Sequence, residues 1–323
     1  MSSSTKKALI TGITGFAGSY LAEHLLSTGS YEVSGTFLTE ESLKNVEGIK
    51  SKINLIKADL SQEKEVCDIV RDVLPDVVFH LAALTSPADS FKNPTKTLTS
   101  NIALQVNLLE SIKKNNLIDA KILIVSSADI YGVVKREDLP IDELTPLMPT
   151  SPYGVSKIAQ DFLGLTYFLS YKLRIVRVRP FNHIGPKQSP HFAVSSFAKQ
   201  IAEIEKGKRE PTLHVGNLDA KRDFTNVKDM VNAYTLAIEK GREGEVYNIG
   251  SGISYKMLDI LDQLISLSSS KITIEKDEAL IRPTDNPELL CDVNKFRKVT
   301  KWKPKISMQE TLKDTLDYWR NII

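Results

Sequence analysis

The chain has 323 residues, a length that predicts about two domains and a core large enough to form without disulfides or metal ions. Hydrophobic residues make up 41% and charged residues 25% of the sequence, close to globular averages, which excludes a disordered or fibrous chain. The formal net charge is only +2, so we expect neither nucleic acid nor a membrane as a partner, and an anionic ligand needs a local site.

The apolar runs and the cysteines predict a cytoplasmic protein without a metal site. The longest apolar stretch, residues 77–84, is interrupted by His80 and is far shorter than the roughly 18 residues of a membrane helix. The first residues lack the apolar core and cleavage site of a secretory signal. Cys67 and Cys291 are far apart in the sequence, so we expect two reduced thiols rather than a disulfide or a zinc site.

Short β-like runs alternate with helical patterns over the first 180 residues. Strands are predicted at residues 8–11, 32–36, 53–57, 77–80, 121–126 and 174–179. Helices are predicted between them, at residues 16–28, 62–73, 95–114 and 153–170. This alternation predicts an α/β fold with one doubly wound parallel sheet of six or seven strands, the Rossmann arrangement.

After Pro180 the pattern loosens into Gly- and Pro-rich connections. Helices are predicted there at residues 193–206, 227–239, 257–267 and 309–320. We therefore predict a Rossmann domain over residues 1–180 and a smaller C-terminal domain over residues 181–323, some segments of which return to the first domain.

The helix predicted at residues 153–170 carries more apolar side chains than one buried stripe requires. Its second face either meets another subunit, which would make the protein a homodimer, or is wedged between the sheet and the C-terminal domain. The sequence favours neither alternative.

A glycine-rich turn joins the first predicted strand to the first helix. It contains Gly12, Gly15 and Gly18, together with Phe16 and Ala17. Glycines permit a tight turn and close approach of the backbone to a pyrophosphate, whose charge is stabilised at the helix N-terminus. The turn therefore predicts a dinucleotide cofactor, NAD or NADP, although Gly12 and Gly15 are one residue further apart than in the usual fingerprint.

The end of the second strand does not decide between NAD and NADP. Residues 36–38 supply neither an acid for the ribose 2′-hydroxyl nor an arginine for a 2′-phosphate, so we expect both cofactors to be accepted. After the third strand, Asp59, followed by Leu60, can hydrogen-bond the adenine amino group of the cofactor, or it can simply cap the next helix.

Tyr153 and Lys157 are four residues apart, hence on one face of their predicted helix. A nearby ammonium stabilises phenolate and lowers a tyrosine pKa toward working pH, which makes the phenol usable in proton transfer. The buried strand at residues 121–126 is followed by Ser127, at the sheet edge where open α/β folds bind their ligands. The Ser127 hydroxyl can hold a substrate oxygen there.

The glycine turn, Ser127, Tyr153 and Lys157 together resemble the extended short-chain dehydrogenase/reductase family, whose nucleotide-sugar members cover essentially this whole length. The resemblance implies that Tyr153 is the catalytic acid or base and that Ser127 holds the substrate. Lys157 would bind the nicotinamide ribose and lower the tyrosine pKa. The C-terminal domain would mainly bind substrate.

Further segments also resemble this family: residues 80–83, Asn101 on the central helix, and residues 179–186. They imply cofactor contacts by Leu81, Ala82, Ala83, Asn101, Phe181 and His183. The resemblance also implies substrate contacts by Thr85, just after the first of these segments, and by Asn182.

Two segments, residues 216–224 and 282–284, look like those of the GDP-sugar branch of the family. Each contains an arginine, which can clamp diphosphate oxygens through two parallel hydrogen bonds. The resemblance implies a GDP-sugar substrate contacted by Asn217, Arg222, Arg282 and Lys199.

Within that branch, the resemblance is closest to enzymes that reduce GDP-4-keto-6-deoxy-hexoses, with the GDP-mannose 4,6-dehydratases as neighbours. Dehydratases have a threonine and, two positions later, an acid that abstracts the C5 proton, whereas this chain has Ser127 and Asp129. The segment after the second strand also lacks the arginine pair and long arm with which dehydratases retain their cofactor.

These differences favour NAD(P)H-dependent reduction of the 4-keto group to give a GDP-6-deoxy-hexose of the GDP-rhamnose type, with Asp129 in the catalytic site. The enzymatic alternatives are a GDP-mannose 4,6-dehydratase and a nucleotide-sugar C4 epimerase. The non-enzymatic alternative is an NAD(P)-binding sensor.

Overall fold

The structure, a computed structural model, describes residues 5–281 and 286–323. In this part of the chain the strands are β1 (Lys6–Thr11), β2 (Tyr31–Phe37), β3 (Asn54–Lys57), β4 (Val77–His80), β5 (Lys121–Val125), β6 (Arg174–Pro180), β7 (Asn182–Ile184), β8 (Thr212–Val215), β9 (Lys221–Asn226), β10 (Val246–Ile249), β11 (Ser254–Lys256), β12 (Thr273–Lys276) and β13 (Glu288–Leu289).

The α-helices are α1 (Phe16–Thr28), α2 (Glu63–Val73), α3 (Pro87–Lys92), α4 (Pro94–Lys114), α5 (Pro152–Tyr171), α6 (Ala193–Glu205), α7 (Val227–Lys240), α8 (Met257–Ser266), α9 (Asn294–Thr300) and α10 (Met308–Ile322). A 3₁₀ segment of 13 residues is Glu40–Lys52, and short 3₁₀ segments are Ala128–Ile130, Arg136–Asp138 and Glu278–Leu280. None of the helices in the described ranges is both long and apolar enough to cross a membrane.

The main sheet has, among the described residues, seven parallel strands in the order β10-β6-β5-β4-β1-β2-β3. This arrangement confirms the predicted doubly wound Rossmann fold. The strand order reverses between β1 and β4, and open α/β sheets bind their ligands at such a switch point, beyond the carboxyl ends of the strands.

Helices cover both faces of this sheet. The strand β5 shows why, because Ile122 and Ile124 belong to the core beneath α2, α4 and α5, whereas Leu123 belongs to the core beneath α1 and α7. Consecutive side chains of a strand point to opposite faces, so a run of apolar residues is what a strand buried on both faces requires.

Segments beyond residue 180 complete this sheet. The strand β10 pairs with β6 at its edge, and α7 contributes Tyr234 to the core beneath α1. The other C-terminal elements form a second core, to which α6 contributes Phe197 and α10 contributes Leu316. Around it lie the small sheets β11-β9-β13, with β7 on β9, and β12-β8. A domain boundary at residue 180 with returning segments stays a prediction.

The sequence pattern predicts neither the segment Glu40–Lys52 nor α3, and both absences have a physical reason. A 3₁₀ segment has three residues per turn, so it does not show the 3.6-residue apolar period that indicates an α-helix. The helix α3 has only six residues, too few to show an apolar period. Ser86, the residue before it, accepts a hydrogen bond from Asp89 N (3.1 Å), and Pro87 is its first residue.

One face of α5 is exposed. Val155, Phe162 and Leu169 recur every seven residues, and their exposed fractions are 46%, 47% and 56%. The rest of the helix packs on α4 and β6. The described C-terminal segments therefore leave this face uncovered, which removes the wedged alternative, while the homodimer stays a prediction.

A buried ion cluster anchors α5 on the sheet. The fully buried Asp161 accepts hydrogen bonds from Arg177 Nη1 (2.5 Å) and Arg179 Nε (2.8 Å), both on β6. Arg179 Nη1 also donates to the hydroxyl of Tyr131 (2.9 Å). Because a buried charge without a partner is costly, these contacts fix the helix relative to β6.

We expect Asp161→Ala to lower the free energy of unfolding by about 3–5 kcal/mol, because it leaves two buried guanidinium groups without their carboxylate. Urea unfolding of the purified protein measures this. The matched control is Glu40→Ala, which breaks the exposed ion pair between Glu40 and Lys57 and should change stability little. Equal stability of the two variants would show that the Asp161 cluster does not anchor the helix.

Candidate active site

The glycine turn between β1 and α1 forms a cradle made of backbone. Gly12 has a φ of +72°, and its carbonyl accepts a hydrogen bond from Gly15 N (3.0 Å). A Cβ added to Gly18 would lie 2.2 Å from that carbonyl oxygen. No side chain caps the N-terminus of α1, and its first turn has no acidic residue. The cradle therefore fits a pyrophosphate at a positive helix end, beside Phe16 and Ala17.

Neighbouring strands hold this cradle at the switch point. Ile13 N donates to Thr36 O of β2 (3.0 Å). On the other side, Thr11 Oγ1 accepts hydrogen bonds from Leu81 N and Ala82 N (both 3.1 Å), in the loop after β4. This loop, which continues to Ala83, therefore lies beside the cradle, as expected for residues that contact the cofactor.

His80, at the end of β4, is kept neutral. Thr11 Oγ1 already accepts two N–H groups, so its own proton goes to His80 Nδ1 (2.9 Å), which leaves the imidazole proton on Nε2. Burial, together with the charge of Lys157, lowers the pKa of His80 to about 3. His80 belongs to the segment 80–83 that resembles the family, but the resemblance implies no role for this residue.

The segment after β2 folds back onto the glycine turn. Thr14 Oγ1 donates to Ser42 Oγ (2.8 Å), and Asn45 Nδ2 donates to Thr14 O (2.8 Å). Sequence reasoning missed these contacts because the 3₁₀ segment shows no helical period. The strand itself ends in Phe37, which is buried, so no carboxylate stands at its end to select NAD.

Asp59 is placed after β3, as predicted, but it does not cap α2, whose N-cap residue is Gln62. Its Oδ1 accepts a hydrogen bond from Ser61 N (2.9 Å), and this bond is the main cause that holds the pKa of Asp59 below its usual value. Leu60 beside it is buried. A contact of this pair with adenine stays a prediction.

The predicted catalytic side chains lie where α5 approaches the end of β5. Ser127 begins the 3₁₀ turn Ala128–Ile130, and its Oγ accepts a hydrogen bond from Asp129 N (3.1 Å). Ser151 and Pro152 start α5. A Cβ added to Gly154 would lie 3.0 Å from Asp129 O, so the first turn of α5 packs directly on the turn after β5.

Tyr153 lies in that first turn and is buried. Burial raises the pKa of its phenol above 10; the nearby charge of Asp129 raises it further, and a hydrogen bond with Ser127 lowers it. This differs from the expected lowering by Lys157. The reason is that desolvation of the phenolate outweighs other effects on the phenol, so Tyr153 carries its proton at neutral pH.

Lys157, one turn further along α5, is also buried. Its Nζ donates to Val125 O at the end of β5 (2.8 Å) and to Gln160 Oε1 (2.8 Å). Burial lowers the pKa of this amine to about 7. Gln160 was not singled out by sequence reasoning.

Asn101 on α4 is fully buried and shapes the loop after β4. Its Oδ1 accepts from Leu84 N (2.7 Å), and its Nδ2 donates to Leu84 O (3.1 Å) and Ser156 Oγ (2.9 Å). Both amide hydrogens are therefore used within the protein. A direct contact of Asn101 with the cofactor stays a prediction.

The loop after β6 lies against the start of α1. Phe181 is buried, and its N–H donates to Ile249 O of β10 (2.8 Å). The ring of His183 stacks on Phe16, with centroids 5.7 Å apart and planes 6° apart. Burial lowers the pKa of His183. The predicted cofactor residues Phe16 and His183 are thus brought together beside the cradle.

The predicted substrate residues are more widely distributed. Lys199 on α6 lies 3.5 Å from Glu203 and faces the ring of Trp319, and Arg222 Nη1 donates to the carbonyl of Asn286 (2.7 Å). Thr85, Asn182 and Asn217 are exposed in loops or at a short strand. Arg282 lies outside the described residues.

A glycine cradle at a switch point, with a buried tyrosine and lysine beside the next strand end, defines an NAD(P)-dependent oxidoreductase of the Rossmann class. A family model described as GDP-mannose 4,6 dehydratase matches residues 9–315. The chain belongs to this family, and it is an oxidoreductase of the nucleotide-sugar class. This membership sets aside the sensor alternative.

The proteins to which the chain is similar include reductases, dehydratases and epimerases. The GDP-6-deoxy-D-mannose reductase of Pseudomonas aeruginosa is 32% identical over 98% of both chains, and the Homo sapiens GDP-mannose 4,6 dehydratase is 30% identical over 95% of this chain and 89% of its own. Among solved structures, RMD from Pseudomonas aeruginosa complexed with NADPH has a TM-score of 0.85 and 30% identity, covering 99% of this chain and 100% of the other. The Thermus thermophilus UDP-glucose 4-epimerase complexed with NAD has a TM-score of 0.85 and 28% identity, covering 98% and 100%.

We expect Gly18→Ala to weaken NADPH binding about tenfold or more, because the new methyl group would press on Gly12 O and distort the cradle. Fluorescence titration with NADPH measures the affinity. Gly48→Ala is the matched control, since an added Cβ meets no atom within 4 Å there. Unchanged affinity in the Gly18 variant would mean that the pyrophosphate does not lie in this turn.

Proposed function

We propose that the protein reduces the 4-keto group of a GDP-4-keto-6-deoxy-hexose with NADPH or NADH, giving a GDP-6-deoxy-hexose of the GDP-rhamnose type. The observation that carries the proposal is Tyr153, a buried phenol beside Ser127 whose pKa is raised above 10. A ketone reduction needs a proton donor at this place. The full-length similarity to a GDP-6-deoxy-D-mannose reductase supports the same reaction.

The proposed cofactor site runs from the glycine cradle to Lys157. The cradle residues would hold the pyrophosphate, and the loops after β3, β4 and β6 would line the adenine and nicotinamide ends. When bound, the reduced nicotinamide supplies the hydride for C4. Both NAD and NADP are part of the proposal, in keeping with NADPH in one structural relative and NAD in another.

Ser127, Tyr153 and Lys157 would carry out the transfer of a proton to the C4 oxygen of the sugar. The Ser127 hydroxyl holds the sugar C4 oxygen and donates to it as negative charge develops. Tyr153 then transfers its phenolic proton to that oxygen. Lys157 would hold the nicotinamide ribose, and its ammonium would stabilise the phenolate that Tyr153 becomes.

The second candidate function is GDP-mannose 4,6-dehydration, which one observation favours. The charge of Asp129 acts on the phenol of Tyr153, so a carboxylate that could serve as the C5 base lies close to the acid. A dehydratase, however, starts by removing a proton from the substrate's 4-hydroxyl, which requires a tyrosine base. Burial and the Asp129 charge keep the Tyr153 phenol protonated before the reaction, which is the starting state of a reduction and not of a dehydration, so reduction remains the preferred proposal.

The proposed GDP-sugar site lies between the sheet edge and the C-terminal segments. We assign it the predicted substrate contacts, namely Thr85, Asn182, Lys199, Asn217, Arg222 and Arg282. Arginine and lysine side chains suit the diphosphate by charge. The proposal keeps the predicted division into a Rossmann domain and a mainly substrate-binding C-terminal domain.

We propose further that the protein is a cytoplasmic homodimer. The exposed apolar face of α5, with Val155, Phe162 and Leu169, supports the dimer, because such a face is stabilised by burial against a second copy. Cys67 and Cys291 form no disulfide, as is common in reducing compartments.

We expect Tyr153→Phe to lower kcat for 4-keto reduction by about 10² to 10⁴, because the variant keeps the ring but lacks the acidic proton. NADPH affinity should stay close to that of the wild type. Steady-state oxidation of NADPH with a GDP-4-keto-6-deoxy-hexose measures both. Tyr171→Phe, on an exposed position of the same helix, is the control. Near-native turnover in the Tyr153 variant would remove this residue from the role of acid.

Asp129→Asn should separate the two reaction classes. In a reductase no C5 proton is removed, so we expect most of the 4-keto reduction to remain. In a dehydratase the same change removes the base, and turnover of GDP-mannose should fall by about 10² to 10⁴. The wild type gives an independent check when it is supplied with GDP-mannose and oxidised cofactor alone. Catalytic formation of a 4-keto-6-deoxy product there would replace reduction by dehydration as the function.

A further inference from the structure

A row of buried polar side chains, the polar seam, joins α4 to α5 near the end of β5, close to Lys157. Asn101 and Gln105, one turn apart on α4, face Ser156 and Gln160 on α5, and all four side chains are buried. Two of the contacts are reciprocal: Gln160 Nε2 donates to Asn101 O (2.8 Å), and Gln105 Nε2 donates to Gln160 O (2.7 Å). Each helix thus offers a backbone carbonyl to an amide of the other.

Gln160 differs from the other seam residues because it also reaches Lys157. Its Oε1 accepts from Lys157 Nζ (2.8 Å) while its Nε2 donates to Asn101 O. These two partners fix the orientation of the amide, since a reversed amide would turn its NH₂ toward the ammonium and its oxygen toward a carbonyl. The second acceptor of Lys157 is Val125 O, so the ammonium is held between β5 and the amide.

We propose that Gln160 is a positioning residue, which holds the Lys157 ammonium for the nicotinamide cofactor through an amide bridge to the backbone of α4. The inference rests on the proposed role of Lys157 in cofactor binding. A lysine has a flexible four-carbon stem, so a fixed acceptor on each side is what restricts the ammonium to one place. Gln160 would act through Lys157 and would not itself touch the cofactor.

The bridge also favours the charged form of Lys157. Burial lowers the pKa of this amine to about 7, and hydrogen-bond acceptors oppose that effect because they stabilise an ammonium. The neutral His80 on β4 is an ionisable neighbour on which the Lys157 charge acts. On α5 itself, Tyr153 and Asp161 are one turn before and one turn after Lys157, and Asp161 is paired with arginines of β6. Asn101 and Gln105, which α4 contributes to the seam, are uncharged.

NADPH affinity between pH 5 and pH 9.5, measured by fluorescence without any sugar, tests the proposal. In the wild type the affinity should fall as the pH rises through the pKa of Lys157, because the ammonium is lost. In Gln160→Met the fall should occur about one pH unit or more lower, since one of two acceptors is gone. In Gln160→Glu it should occur at higher pH, because a carboxylate raises the lysine pKa.

The opposite shifts separate positioning from a merely structural role, which would weaken binding without moving the pH dependence in two directions. Gln105→Met is the matched control: it removes a buried amide from the same seam but leaves both acceptors of Lys157, so its pH dependence should equal that of the wild type. If Gln160→Met is too unstable to purify, Gln160→Glu alone tests the proposal: its NADPH affinity should fall at a higher pH than that of the wild type. If the pH dependence of NADPH affinity is unshifted in both Gln160 variants, the positioning role of Gln160 is wrong, while the proposed role of Lys157 stands. Equal affinity in wild type and Lys157→Met at every pH overturns the proposed role of Lys157 and the inference with it.

Discussion

The geometry of the candidate site depends on close backbone contacts that the segment after β5 makes with residue 148 and with the start of α5. Gly132 has a φ of +54°, and a Cβ added there would lie 1.6 Å from Met148 O. A Cβ added to Gly154 would lie 3.0 Å from Asp129 O. Side chains do not fit between backbones at such distances. The position of the Tyr153 phenol relative to the strand end is therefore set by backbone contacts, which are more rigid than side-chain packing.

Desolvation sets the protonation of the groups that this packing brings together. It raises the pKa of Tyr153, lowers that of Lys157 to about 7 and lowers that of His80 to about 3. All three shifts favour the neutral form. The Tyr153 phenol therefore carries its proton at neutral pH, in surroundings of low polarity where fixed dipoles act strongly on developing charge.

The sequence predicts those features that depend on apolar runs and glycines. It does not predict properties that depend on burial in the folded protein, such as a pKa or a contact between two helices. The first six strands are readable because buried parallel strands are nearly continuous apolar runs, whereas β10 is a short strand after the pattern has loosened. The Tyr153–Lys157 spacing is visible, but the direction of the tyrosine pKa depends on a desolvation that no motif encodes. The sequence does not single out Gln160, because a lone glutamine on an apolar helix looks like an ordinary surface residue. Its role becomes visible only when the structure places α4 beside it.

The return of the chain to its first sheet has a consequence for synthesis and folding. A nascent chain that has reached residue 180 contains six strands, yet β6 still presents an open edge and Val178 still lacks the cover that α7 brings. The same core includes Trp302, close to the end of the sequence. Contacts between such distant parts of a chain form slowly, because a long loop must close first. The core of the seven-stranded sheet is therefore complete only after the chain has been made at least as far as Trp302.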